Sequence, residues 1–183
     1  MADKVQFRMF MLPEYEQEEI YLNKMAQKGY RLDRVVIPGF YFFTKTEPEN
    51  MIYKIDFNPQ KKDAVEEYHQ MFADYGWEYL QDMNEYSYFR KISDGTEEDI
   101  YSDNASRIEM IKRILVTKML PFMILFLCIV IPQFFMALFR DDMGSAGITL
   151  LILWTLVLAL YVFIFTRCTI GFYRLKKKYD AEG

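Results

Sequence analysis

The side chains most often used for catalysis or metal binding are here one histidine, two cysteines and a large stock of carboxylates. His69 follows Tyr68 on the side of a helical stretch expected to face solvent. Ser-His or Cys-His catalysis needs a nucleophile within hydrogen-bond reach of the base, and neither cysteine lies near His69 in sequence. A zinc site of the Cys/His type is excluded by the count of ligands. The acids cluster at Glu14, Glu16, Glu18 and Glu19, at Asp63, Glu66 and Glu67, and at Asp94, Glu97, Glu98 and Asp99. Paired carboxylates bind hard cations or move protons when burial shifts their pKa. At helix starts they have a simpler cause, the helix dipole and solvent. The stretch Asp94–Asp99 (DGTEED) lacks the ligand spacing of an EF-hand loop, and no glycine-rich phosphate loop is present. The expectation is a non-enzymatic protein with no metal and no cofactor.

The residues in surplus are aromatic, at 17% of the chain. Phe40, Tyr41, Phe42 and Phe43 run consecutively, so a strand there must show rings on both faces. Tyr30, Phe40, Phe42, Trp77, Tyr79, Tyr86 and Tyr88 form the candidate ligand or partner surface, because exposed apolar patches mark binding sites. The alternative is structural cover, by a second copy in a homo-oligomer or by the helix nearest the membrane. A small-molecule pocket would draw Tyr30, Phe42, Trp77 and Tyr88 together at an internal pseudo-twofold axis.

The elements that would position these residues are written twice. Residues 1–92 read as FRMFMLP, a helix EYEQEEIYLNKMAQ, then KGYRLDRVVIP and GFYFFTK. They continue as YKIDFNP, a helix QKKDAVEEYHQMFADY, then GWEYLQDMN and EYSYFRK. Pro13 matches Pro59, Tyr21 matches Tyr68, Gly29-Tyr30 matches Gly76-Trp77 and Lys45 matches Lys91. Proline suits a first helical turn, and glycine suits the left-handed position past a helix end. Val65, Tyr68, Phe72 and Tyr75 recur at helical spacing, as do Leu22, Met25 and Ala26. Strands are expected over Val5–Met11, Arg31–Ile37, Phe40–Thr46, Met51–Phe57, Glu78–Asp82 and Glu85–Ile92, with turns at Pro38-Gly39 and Asn84. The predicted class is α+β: a duplicated β-α-β-β unit, ferredoxin-like or a related antiparallel sheet with two helices on one face. The repeats span about 4–46 and 51–92.

Two uncharged apolar runs follow, Met119–Phe139 and Met143–Thr166, each long enough to cross the roughly 30 Å hydrocarbon core. The spacing predicts an acidic linker over 93–104, a juxtamembrane helix over 105–118 opened by a capping box at Ser106 and Glu109, and a first membrane helix over 119–139. A short outer loop over 140–147, a second membrane helix over 148–167 and a basic tail over 168–183 complete the chain. Arg113, Lys118, Arg167, Arg174, Lys176, Lys177 and Lys178 flank the two runs and suit anionic lipid head groups. By the positive-inside rule they place both termini on the cytoplasmic side of the membrane. The start MADKVQFRMF has no apolar h-region, so a cleaved leader is not expected. Cys128 lies about 15 Å deep in the first run while Cys168 ends the second, a separation in depth that forbids a disulfide. Pro132-Gln133 is a candidate hinge or oligomer contact within the first run.

Charge divides along the same boundary. Residues 1–100 carry 12 Lys and Arg against 20 Asp and Glu, and residues 101–183 carry 10 against 6. An acidic head repels phosphate backbones, so direct nucleic-acid binding is not expected.

The phrases EIYLNKMAQKGYRL, GFYFFTK, YKIDF, YHQMFADYGWEYL and YSYFRK resemble a bacterial membrane-anchored family catalogued as domain of unknown function 2812. The resemblance covers Lys4 to Lys91. Its marks here are Gly29-Tyr30, Gly76-Trp77, Thr44-Lys45 and Phe89-Arg90-Lys91; Tyr30 stands where the family more typically has Trp. Two C-terminal membrane helices are common in the family, and its members are often encoded beside PadR-type transcriptional regulators. The resemblance therefore implies a regulatory role and transfers no catalytic residues. The resulting expectation is a membrane-anchored regulator whose cytoplasmic head binds a regulatory protein; the alternative is a tethered sensor of an amphipathic small molecule.

Overall fold

A computed structural model of the chain describes residues 3–57, 65–93, 95, 99–100, 104–140 and 144–181. Contacts divide the chain into a head, Met1–Met110, and a helical unit, Ile111–Glu182.

In the head, β1 (Lys4–Phe7), α1 (Tyr15–Gln27), β2 (Tyr30–Val36) and β3 (Phe40–Lys45) are followed by β4 (Met51–Phe57), α2 (Val65–Asp74), β5 (Glu78–Met83) and β6 (Tyr86–Ile92). The strands form two three-stranded antiparallel sheets, ordered β1-β3-β2 and β4-β6-β5. The α+β class and the doubled β-α-β-β unit are thus as expected, while the strands divide between two sheets.

The duplication reaches the register. Lys4, Val5, Gln6 and Phe7 pair with Phe43, Phe42, Tyr41 and Phe40; Lys54, Ile55, Asp56 and Phe57 pair with Phe89, Tyr88, Ser87 and Tyr86. A register shift falls between Leu32 and Arg34 in one sheet and between Tyr79 and Gln81 in the other. Each irregularity lies four residues past a helix-ending glycine, Gly29 at φ +76° or Gly76 at φ +80°. Such an extra residue bends its strand locally. Pro13 sits in a 3-10 turn, Leu12–Glu14, that leads into α1, whereas Pro59 lies outside the described residues.

The two sheets are unequally covered. In β3, Tyr41 and Phe43 face α1, where both rings meet Tyr21. In β6, Phe89 faces α2 and packs with Ile52, Tyr68, Phe72 and Trp77. Tyr75, expected on the apolar stripe of α2, lies past the helix end and is exposed, because the helix closes at Asp74. The opposite face of β6 is turned toward the first repeat: Tyr86 donates to the Leu12 carbonyl and Tyr88 to Glu18. Segment 12–26 therefore covers a second sheet besides its own, and nearly every residue of β4 is buried.

The helical unit and its approach are longer than the apolar runs. The first helix runs Asn104–Leu138 and the second, α6, Ser145–Ala181; both are long and apolar enough to cross a membrane. At about 1.5 Å per residue α6 spans roughly 55 Å, well beyond the roughly 30 Å hydrocarbon core. The basic tail is therefore mostly a continuation of α6, with Cys168, Phe172, Leu175 and Tyr179 buried at coiled-coil spacing. The stretch proposed as a capping box lies inside a helix: α3 (Asn104–Ile114) already includes Ser106. Two π-helical turns interrupt the first helix, Leu115–Met119 and Phe126–Val130. They separate α3 from α4 (Leu120–Leu125), and α4 from α5 (Ile131–Leu138). Each turn ends two residues before a proline, Pro121 or Pro132. The N–H just before the proline reaches back five residues, Leu120 to the Leu115 carbonyl and Ile131 to the Phe126 carbonyl. Proline cannot donate and crowds the carbonyl four residues back, so widening the preceding turn relieves the clash.

Candidate functional site

Three arrangements in the head bring chemistry-bearing side chains together. The first joins the repeats. Tyr41 of β3 and Tyr88 of β6 both donate to one oxygen of Glu18, each at 2.6 Å. All three residues are buried. Burial pushes the Glu18 carboxyl above its ordinary value, while the two hydroxyl donors pull the other way. Sequence reasoning read Glu18 as one of a solvated group of acids. Its position four, seven and eight residues before Leu22, Met25 and Ala26 places it on the buried stripe, and that spacing was the available signal.

The second arrangement protects an edge. The β4 strand pairs with β6 on one side only, and its other side would present bare N–H groups. Asn23 accepts from the Tyr53 N–H at 2.7 Å and Glu19 from the Ile55 N–H at 3.0 Å, so two α1 side chains one turn apart stand in for a strand. Glu19 also bonds the Lys54 ammonium at 3.1 Å. Lys54 in turn lies 3.7 Å from Asp99, which pairs with Arg107 of α3. Within the expected acidic linker, Asp99 is thus held by Lys54 and Arg107, and Ile100 packs on the α2 cluster. Burial raises the Glu19 carboxyl to about 7 against the opposing pull of Lys54.

The third is an open face. On the side of the first sheet turned away from α1, Val5, Phe7, Val36 and Phe40 are all exposed, and Phe42 lies beside them. The Phe7 and Phe40 ring centroids are 5.1 Å apart, and the Arg34 guanidinium rests 4.6 Å above the Phe42 ring. A groove of about 350 Å³ at the β1 edge is lined by Phe7 and Arg8 together with Gln6 and Tyr21, which lie on the α1 side of the sheet.

The seven aromatics singled out from sequence fall into different surroundings. Phe40 and Phe42 belong to the open face. Tyr30 lies under the Lys4 ammonium at 4.2 Å. Trp77, Tyr86 and Tyr88 are buried in the head and form no surface. Tyr79 stacks on His69 at 3.8 Å, so the histidine expected in solvent is covered by a ring. Burial, helped by Asp82, pushes the Tyr79 hydroxyl up to about 12. The four residues of the expected pocket, Tyr30, Phe42, Trp77 and Tyr88, do not converge on one cavity. Sequence reasoning missed Val5, Phe7 and Arg34, which complete the open face; alternation along β1 carried that signal.

Among the basic flanks, Arg167, Arg174, Lys176, Lys177 and Lys178 are exposed on α6, whereas Arg113 and Lys118 are half-buried on the first helix. Pro132 and Gln133 are exposed on α5. No group of three or more potential metal ligands occurs among the described residues.

The fold defines a class: a doubled β-α-β-β head with exposed apolar residues on one sheet face, followed by a pair of long apolar helices. A family model described as "Protein of unknown function (DUF2812)" matches residues 14–125. The chain belongs to that family. The match begins at α1 and runs through α3 into the first long helix, so the family's shared pattern includes the approach to the apolar segment. No curated protein and no solved structure matches the chain.

Proposed function

We propose that this protein is a membrane-anchored, non-enzymatic regulator whose cytoplasmic head binds a regulatory protein through the open face of the first sheet. The observation that carries the reading is the exposed cluster of Val5, Phe7, Val36 and Phe40 on one sheet face. Monomeric soluble domains seldom leave such a cluster contiguous without a partner. The two long apolar helices supply the anchor, and the basic residues at their ends favour a cytoplasmic location for both termini in the bacterial inner membrane. A PadR-type transcriptional regulator is the partner suggested by the family's gene neighbourhood. Such a regulator would be held at, or released from, the membrane.

The small-molecule alternative would need a pocket holding a lone carboxylate. Glu18 is that carboxylate, but two tyrosine hydroxyls already occupy one of its oxygens. The exposed apolar residues of the first sheet favour a protein partner.

Affinity recovery of the tagged full chain from its native membranes tests the proposal. Wild-type protein is expected to retain a transcription regulator that a Phe7→Asp/Phe40→Asp variant loses. Equal recovery by both forms, or none by wild type, would overturn it.

A further inference from the structure

Internal duplication indicates what should cover the open face. The residues on it have counterparts at the same register positions of the second sheet: Val5 and Ile55, Phe7 and Phe57, Phe40 and Tyr86, Phe42 and Tyr88. In the second sheet these positions are buried, and segment 12–26 bonds to them through the Leu12 carbonyl and the Glu18 carboxylate. In the first sheet Val5, Phe7 and Phe40 are exposed, with no segment across them among the described residues. One repeat thus shows the occupied form of a face that the other repeat presents empty.

The chemistry of the missing occupant follows from the polar exchange at the position that meets Glu18. On the second sheet the Glu18 carboxylate is met by the Tyr88 hydroxyl. The counterpart of Tyr88 is Phe42, which has no hydroxyl, and the Arg34 guanidinium lies over its ring at 4.6 Å. Arg34 is exposed and makes no ion pair with the described residues. An acid on an incoming helix would therefore find a cation where Glu18 finds a phenol, and a charge-assisted contact at a rim favours correct register.

We infer that the open face of the first sheet docks an amphipathic helix of a partner protein, apolar side down, with a carboxylate set against Arg34 and placed as α1 is placed on the second sheet. This rests on the protein-partner reading above and specifies the partner's chemistry. Helix-on-apolar-surface recognition uses side chains at positions i, i+4 and i+7, the spacing of Glu18, Leu22 and Met25 in α1.

The chain itself supplies a probe, a fluorescein-labelled peptide of residues 11–28, titrated onto the full chain in detergent micelles and followed by anisotropy. Saturable binding is expected, at least tenfold weaker to Phe40→Asp and to Arg34→Glu, and unchanged in Met71→Asp, an exposed position on α2. A peptide carrying Glu18→Lys is expected to recover affinity for the Arg34→Glu chain. No saturable binding would overturn the inference, as would binding indifferent to Phe40→Asp, which would mean exchange with the chain's own α1. A wild-type dimer that Phe40→Asp makes monomeric would also overturn it and assign the face to a second copy. If the peptide fails while Phe40→Asp still abolishes partner recovery from membranes, the helix inference falls and the protein-partner reading stands.

Discussion

The hydroxyl of Tyr88 donates to the carboxylate of Glu18 at 2.6 Å across 70 residues of sequence, joining the last strand of the second repeat to the helix of the first. That bond has no internal counterpart. Other contacts do repeat: Tyr21 donates to Gln6 as Tyr68 donates to Asp56, helix to first strand, each at 2.5 Å. The repeats are therefore alike inside and unlike outside, and the difference leaves one sheet face uncovered by any of the described residues.

Removing the Tyr88 hydroxyl should loosen the head as a whole. Tyr88→Phe is expected to cost about 1.5–3 kcal/mol, the range for a hydrogen bond to a charged group. Tyr41→Phe should cost a similar amount. Because both hydroxyls meet the same Glu18 oxygen, the double variant should depart from additivity. Urea unfolding of the full chain in micelles, followed by near-UV circular dichroism, checks both points.

Stability should fall as pH rises through the range set by Glu19. Its folded-state pKa, raised to about 7 by burial, lies above the ordinary 4.5, so the folded chain binds that proton more tightly than the unfolded one. Unfolding free energy then decreases between about pH 4.5 and 7, with Glu18 acting in the same direction. Urea midpoints for wild type and Glu19→Gln should differ in slope over this window, the variant being flatter. A parallel pH dependence in the two proteins would refute the assignment.

The two helix-ending glycines should not tolerate alanine equally. Both have positive φ, which costs an L-residue about 1 kcal/mol. A Cβ on Gly29 would also sit 2.7 Å from the Thr46 carbonyl oxygen, whereas one on Gly76 would meet only the flexible Lys91 side chain, at 3.6 Å. Gly29→Ala is therefore expected to lower the unfolding midpoint clearly more than Gly76→Ala.

How much of this was readable in sequence depends on the range of each contact. The doubled unit showed in Gly29-Tyr30 against Gly76-Trp77 and in Lys45 against Lys91, because turn and helix-end chemistry is local. The division into two sheets left no such mark. It depends on α1 lying along the free edge of β4, through pairs such as Asn23 with Tyr53 and Glu19 with Ile55, each about 30 residues or more apart. The open face was half readable. Phe40 and Phe42 followed from alternation, but Tyr88 looks the same in sequence as Phe42 and is buried only because α1 reaches it. The irregularity at Pro132 was visible as a proline; the π turn before it, and the matching turn before Pro121, follow from how a helix accommodates that ring.

Topology offers an independent check on the anchor. Protease added outside intact cells is expected to leave the head whole, and to degrade it once the membrane is opened. Loss of the head in intact cells would place it on the wrong side for a cytoplasmic partner.

The most direct test of the central claim is site-specific photocrosslinking in living cells, with benzophenone-bearing residues at position 40 or at position 71. Both positions are exposed, Phe40 on the open sheet face and Met71 on α2. The account predicts one discrete adduct with another protein from position 40 and none of that mass from position 71. No adduct from position 40, or the same adducts from both, would contradict it.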